Sequence, residues 1–272
     1  METATVQGVE VPKLGLGTWR LTGDECYDAV RTALGAGYRH VDTAQAYDNE
    51  REVGRAIADA DVDAEEVFVT TKVFGRNARY DDAIHTARES RKRLGIETID
   101  LLLLHWPNPL VDVDETLRAF RDLVDEGVTR HVGVSNFGLR QLSDARSRSE
   151  VPLLTDQVEF HPYHPQRKLL RYCQQNDVLL TAYSPLGHGG VTRDRRLREI
   201  GSRYDKTPAQ VALRWATQHR NVVVIPKASS AAHITENAAA IEFRLDETEL
   251  DAVARSSQVR RGLSWVRGRL EI

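Results

Sequence analysis

The chain alternates short runs that are apolar throughout with longer segments in which apolar residues recur every three or four positions. The short runs predict strands over Lys13 to Gly17, His40 to Ala44, Val67 to Val73 and Ile99 to Trp106. Four more follow over Thr129 to Ser135, Leu154 to Phe160, Val178 to Ser184 and Val222 to Lys227. Between them the spacing is helical. In Asp24 to Leu34, the residues Cys26, Ala29, Val30, Ala33 and Leu34 share one face. A second helix opens near Asp114, with Leu117, Phe120, Leu123 and Val124 inward and Gly127 placed to end it. Thr207 followed by Pro208 predicts a helix start, a hydroxyl cap and then proline in the first turn.

Runs such as IDLLLLHW and NVVVIP have no polar alternation, which implies burial on both faces and hence a parallel sheet covered by helices. Eight strand–helix units in 272 residues predict one closed (β/α)8 barrel (TIM barrel) domain over 1–272, with a tail at about 256–272 near the barrel mouth. The competing open sheet normally carries G-x-G-x-x-G after its first strand. Here GLGTWR places Arg20 where the third glycine belongs, and the fingerprint fails.

Composition narrows the function. Hydrophobic residues at 41% and charged residues at 28% are ordinary for a water-soluble globular protein. A net charge of -3 is too balanced for an electrostatic grip on nucleic acid. The longest apolar runs, Leu101 to Leu104 and Val222 to Ile225, fall far short of the roughly 20 residues that span a bilayer, so no membrane association is expected. The opening METATVQGVEVP lacks the basic-then-apolar pattern of a leader, which points to the cytoplasm. Cys26 and Cys173 cannot form a disulfide framework; Cys173 lies with Leu169, Leu170 and Tyr172 on an amphipathic segment and is expected to be buried. The acidic stretch from Asp59 to Glu66 reads as an exposed connection.

In such barrels chemistry sits at the C-terminal ends of the strands. Polar residues at those ends are Asp42 and Tyr47, Lys72, His105, Ser135 and Asn136, Gln157 and Glu159, Tyr183 and Ser184, and Lys227. Asp42, Tyr47, Lys72 and His105 form a chemically coherent set. A phenol with a pKa of about 10 is a poor acid at neutral pH. An ammonium nearby is expected to lower that pKa, a carboxylate to hold the ammonium, and a histidine to orient a carbonyl oxygen. Singly, each has an unremarkable reading: a rim ion pair, a surface tyrosine, a core histidine. The set suits proton donation to a carbonyl under reduction. His161 and His164 in HPYH have a spacing known among metal ligands, but no third ligand is close in sequence and Pro162 favours a turn, so no metal is expected.

The motifs resemble those of the aldo-keto reductase superfamily from about Leu14 to Asn237. GYRHVDTAQAYDNEREVG, TTKV, LLLLHWP, GVSNF, TDQVEFHPY, AYSPLG and VVVIPKA occur in the family's order. DTAQAYDNE and compact loops make the chain most similar to short bacterial 2,5-diketogluconate and methylglyoxal reductases. The resemblance implies NAD(P)H-dependent reduction of small aldehydes and ketones by hydride transfer, with Tyr47 as general acid, Asp42 and Lys72 beside it, and His105 orienting the substrate. It implies nicotinamide stacking on Tyr183, its carboxamide held by Ser135, Asn136 and Gln157, with Gly17, Thr18 and Trp19 bordering that end. Ser184 and Leu186 would approach the pyrophosphate. Lys227, Ser229, Ser230 and His233 would meet the 2′-phosphate region of NADPH, and Glu236 and Asn237 the adenine. His233 stands where the family commonly has arginine and Ala228 where it has serine, so NADH use is expected as well. Trp19, Tyr47, His105 and Trp106, with Phe74, would wall the substrate pocket. Arg260, Arg261, Arg267, Arg269 and Trp265 of the tail would fold over it. A small-molecule carbonyl partner and a monomeric state are expected. The rival readings are a non-catalytic NADP(H)-binding sensor or subunit of the same fold, and a metal-dependent barrel hydrolase.

Overall fold

A computed structural model describes residues 1–254, so the tail residues Arg260, Arg261, Trp265, Arg267 and Arg269 lie outside the described residues. The chain opens with β1 (Thr3–Val6) and β2 (Val9–Pro12), followed by β3 (Leu16–Gly17), α1 (Gly23–Gly35), β4 (His40–Asp42) and α2 (Glu50–Ala58). Next come β5 (Phe68–Val73), α3 (Tyr80–Leu94), β6 (Ile99–Leu104), α4 (Val113–Asp125), β7 (Thr129–Ser135), α5 (Leu139–Arg148), β8 (Leu153–Glu159) and α6 (Arg167–Gln175). The series ends with β9 (Leu179–Tyr183), α7 (Arg195–Gly201), α8 (Pro208–Gln218), β10 (Val222–Val224), α9 (Ala231–Ala238) and α10 (Glu247–Ala254).

Strands β3 to β10 form a parallel sheet in sequence order. Its two edges meet: Leu14 bridges Val224 and Gly17 bridges Lys227, with Gly15 N donating to Val224 O at 2.8 Å and Gly17 N to Pro226 O at 3.1 Å. The eight strands predicted from the apolar runs therefore form a (β/α)8 barrel. Closure is what requires glycine at position 17, because a Cβ there would lie 2.6 Å from the Ile225 carbonyl oxygen. The first and last strands are shorter than the sequence predicted, since their ends pair only across this seam.

The β1–β2 hairpin is an element that the apolar pattern did not reveal. Its strands pair antiparallel from Thr3 with Pro12 to Val6 with Val9. Ala4, Val6 and Val11 pack with Leu101, Leu103, Leu154, Leu179 and Val223, which point into the barrel and are sealed by the hairpin. The neighbours Leu102 and Leu104 point outward to the helices and join the outer core with Phe120 and Leu123. The alternation explains why β6 is apolar at every position.

The helices follow their predicted faces. Cys26, Ala29, Val30, Ala33 and Leu34 are the buried residues of α1. In α4, Leu117, Phe120 and Leu123 are buried, and Gly127 follows with φ +70°. The start is Asp112 rather than Asp114, with its side chain capping Asp114 N. Thr207 and Gln210 make a reciprocal capping box at α8, with Pro208 in the first turn. Cys173 is fully buried. The 59–66 connection is mostly exposed, as its charge implied. Among the described residues no helix is long and apolar enough to cross a membrane.

Candidate active site

Asp42 ends β4 and Lys72 lies near the end of β5, and both point into the barrel. Lys72 Nζ donates to Asp42 Oδ1 at 2.6 Å and to Thr43 O at 2.8 Å. From the opposite wall, Gln157 Nε2 donates to Asp42 Oδ2 at 2.7 Å. Each carboxylate oxygen thus has a donor, which a charge 2% exposed requires. Burial pulls the Lys72 pKa below its ordinary value, and Asp42 opposes that pull.

Tyr47 sits above this pair in a 3-10 turn, Gln45–Tyr47, closed by Asp48 in the left-handed region at φ 53°. Its ring centroid lies 5.1 Å from Lys72 Nζ and 5.6 Å from the His105 ring, which it meets edge to face at 77°. The structure corrects the expected direction of its acidity. Burial, and then the Asp42 charge, push the phenol well above its ordinary pKa. Desolvation dominates, and the ammonium, turned onto Asp42 at 2.6 Å, does not offset it. Tyr47 therefore keeps its proton throughout the neutral range.

His105 follows β6, its backbone N bonded to Val73 O at 3.0 Å. Burial, aided by Lys72, lowers its pKa to about 3, so the ring is neutral. Its Nδ1 is buried without a hydrogen-bond partner. Leaving that nitrogen as the acceptor costs less than orphaning an N–H, which assigns the ring hydrogen to Nε2.

Asn49, which the sequence reading placed at a helix start rather than among the site residues, organises these loops. Its Nδ2 donates to Thr18 O at 2.9 Å and Leu21 O at 2.8 Å, and its Oδ1 accepts from Thr43 Oγ1 at 2.6 Å. Glu50 beside it accepts from Thr71 Oγ1 at 2.5 Å and pairs with Arg93 at 2.6 Å. A buried Asn-Glu pair at the start of α2 was the available signal, because polar groups inside a barrel rim need several partners each.

The residues expected at the nicotinamide converge on the same mouth. Ser135 Oγ donates to Gln157 O at 2.8 Å, and Asn136 Nδ2 donates to His105 O and to Ser135 Oγ, both at 3.0 Å. The Tyr183 hydroxyl donates to Asn136 Oδ1 at 2.9 Å. Anchored through its hydroxyl and part exposed, Tyr183 presents a fixed aromatic platform. A flat ring bearing an amide fits this donor and acceptor set. Thr18 is placed differently from expectation: it is fully buried and its hydroxyl donates to Asp42 O at 3.0 Å, so it braces the loop. Gly17 likewise serves the seam. Trp19 and Trp106 are exposed at 42% and 50%, and Phe74 meets His105 edge-on at 6.4 Å.

Around the barrel mouth, Ser184 takes φ 46° and leads into the turn through Leu186, where Gly187 N bonds Ser184 O at 2.9 Å. Lys227, Ser229, Ser230 and His233 are all exposed. Ser230 caps α9, its Oγ accepting from His233 N at 3.3 Å. Glu236 accepts from Thr207 Oγ1 at 2.6 Å, and Asn237 is buried. His161 faces Glu159 at 3.1 Å through Nε2 and accepts from Tyr163 N through Nδ1 at 3.2 Å, in a tight turn closed by His164. Among the described residues no group of three His, Cys, Asp or Glu could hold a metal ion. A charged cleft lined by Asp112, Asp114, Arg148 and Glu150 lies on the outer helical face and is knit internally by Arg148.

A parallel barrel whose mouth joins a buried Lys–Asp pair, a phenol, a neutral imidazole and an amide-rich aromatic platform defines an oxidoreductase that reduces carbonyl groups. The aldo/keto reductase family model matches residues 13–258, and the chain belongs to that family. It is therefore an NAD(P)H-dependent reductase. It is 43% identical over 246 residues to the 9,11-endoperoxide prostaglandin H2 reductase of Trypanosoma cruzi, covering 89% of this chain and 86% of the relative. It is 37% identical over 257 residues to the methylglyoxal reductase DkgA of Escherichia coli, covering 93% and 92%. The crystal structure of a candidate 2,5-diketo-D-gluconic acid reductase B superimposes with a TM-score of 0.93 at 41% identity, covering 96% of this chain and 93% of that one.

Proposed function

We propose that this protein reduces small aldehydes and ketones at the mouth of a single barrel domain, with Tyr47 as the proton donor. The observation that carries the reading is the approach of Tyr47 and His105 to 5.6 Å over the buried Lys72–Asp42 pair. A carbonyl oxygen between the two rings meets a phenol O–H and an imidazole N–H, both neutral and both donors. NAD(P)H supplies the hydride when bound. As negative charge grows on the oxygen, the Tyr47 proton moves to it and His105 Nε2–H holds it. Lys72 stabilises charge on the phenolate as that charge forms. The preorganised donors contribute about 10²–10³ each in comparable sites. Tyr47 is part exposed, so its proton returns from solvent.

Tyr183, Ser135, Asn136 and Gln157 would hold the nicotinamide, while Ser184 and Leu186 would meet the pyrophosphate. Lys227 is the cation for a 2′-phosphate. His233 supports a weakened preference for NADPH, since an imidazole lacks the forked, permanent charge of arginine. Small dicarbonyls, the substrate class in the name of the Escherichia coli relative, are the first candidates. We place the protein in the cytoplasm as a monomer. The test is a panel of methylglyoxal, aromatic aldehydes and diketo acids, followed by loss of nicotinamide absorbance with each cofactor. Reduction with an NADPH preference below about a hundredfold is expected. No turnover of any carbonyl refutes the assignment, and a preference of many hundredfold refutes the role of His233.

A further inference from the structure

We propose that Arg76 determines specificity by favouring carbonyl substrates that carry a carboxylate, an inference that rests on the reductase reading above. Arg76 lies in the connection between β5 and α3, in a 3-10 turn over Gly75–Asn77. That turn is fastened on three sides. Gln45 Oε1 accepts from Phe74 N at 3.0 Å and from Asn77 Nδ2 at 3.2 Å, while Gln45 Nε2 donates to Ser90 Oγ at 3.1 Å. Asn108 Nδ2 donates to Gly75 O at 2.9 Å from the connection that carries Trp106. Asn77 N bonds Phe74 O at 2.8 Å within the turn itself. Gln45 belongs to the same turn as Tyr47, so the loop bearing Arg76 is fixed relative to the proton donor.

The exposed Arg76 guanidinium stacks on Phe74, 5.2 Å from its ring centroid, and Phe74 in turn lies edge-on to His105. A fixed cation therefore stands one aromatic ring away from the residue that would orient the carbonyl. Asp48, Glu52 and Glu89 share the neighbouring cleft, yet Arg76 makes no ion pair with a carboxylate among the described residues. Arg20 likewise stacks on Trp19 at 4.2 Å, so two of the aromatic residues expected to wall the pocket each carry a guanidinium. The buried pair beneath contributes no net charge, and Glu159 is engaged by His161 and His188. A guanidinium presents a planar fork that matches a carboxylate with two parallel hydrogen bonds. Stacking removes side-chain freedom before the substrate arrives, which reduces the cost of binding.

The test compares 4-carboxybenzaldehyde with its neutral methyl ester in the wild type, Arg76→Gln and Arg76→Lys, at low and high salt. The two substrates differ in charge, and by one methyl group, at a point one ring from the carbonyl. In Arg76→Gln, kcat/KM for the acid relative to the ester should fall about fivefold, through KM, with the ester unchanged. Arg76→Lys should retain part of the preference, and salt should erode it in the wild type. An unchanged ratio, or an equal fall for both substrates, overturns the inference and leaves the reductase reading standing. Failure of the wild type to reduce either aldehyde overturns both.

Discussion

Replacing Lys72 with methionine strips the cation from a charge pair that is excluded from solvent, with side-chain exposures of 0% and 2%. Asp42 then keeps the Gln157 donor on Oδ2 but loses its 2.6 Å partner on Oδ1, and Thr43 O loses its donor as well. An uncompensated buried charge costs about 3–5 kcal/mol. At about 2–4 °C per kcal/mol for a chain of this size, the melting temperature should drop by roughly 6–20 °C. The loss has a diagnostic reversal. In Asp42→Asn/Lys72→Met no charge is stranded, and the amide still accepts from Gln157, so at least half of the stability should return. Urea unfolding followed by far-UV circular dichroism at neutral pH measures all three proteins. A Lys72→Met variant within about 1 kcal/mol of wild type, or a double variant no better than the single, would refute the reasoning.

Two further outcomes follow from buried titratable groups. Burial lowers the pKa values of His40 and His219 to about 4 and of His105 to about 3, so the folded protein binds no proton at these sites near pH 5. The unfolded chain gains those protons below its ordinary histidine pKa of about 6.5. Stability should therefore fall with acidification between about pH 6 and 4, by up to about 4 kcal/mol per pH unit for the three together; urea midpoints independent of pH in that window would contradict it. Asp156 is fully buried, with Oδ2 unpartnered and only a 3.4 Å contact from Phe137 N to Oδ1, and burial raises its pKa well above the ordinary value. Stability contributed by its protonated form is complete below about pH 4 and is lost as pH rises toward the folded pKa. Asp156→Asn should thus be more stable than wild type by about 1 kcal/mol or more at neutral pH, with the advantage vanishing near pH 4. A pH-independent difference between the two unfolding curves would count against this.

The barrel and the convergence of Asp42, Tyr47, Lys72 and His105 at its mouth were legible because both rest on local patterns. Strands apolar at every position, such as Leu101 to Leu104, cannot lie at an edge or on a half-exposed sheet. Residues at successive strand ends must converge once the barrel closes, which brings Asp42, Lys72 and Gln157 together from opposite walls. What depends on the interior was not legible. The β1–β2 hairpin has only four residues per strand, and its inward face matters only because the barrel floor needs sealing. Thr18 looks like a mouth residue until Asn49 and Asp42 are seen to hold it inward. The direction of the Tyr47 shift depended on where a single ammonium points, which no spacing encodes.

The central claim is that Tyr47 delivers the proton while other groups hold the cofactor. Tyr47→Phe removes only the hydroxyl, leaving the ring against His105 and above Lys72. The decisive measurement pairs the single-turnover rate of carbonyl reduction with the dissociation constant for NADPH from fluorescence titration. The account predicts a rate lower by at least about 10²–10³ and a dissociation constant within about twofold of wild type. A variant that keeps a tenth or more of the rate (roughly 1.4 kcal/mol or less in barrier), or whose rate falls only because the cofactor no longer binds, would contradict it.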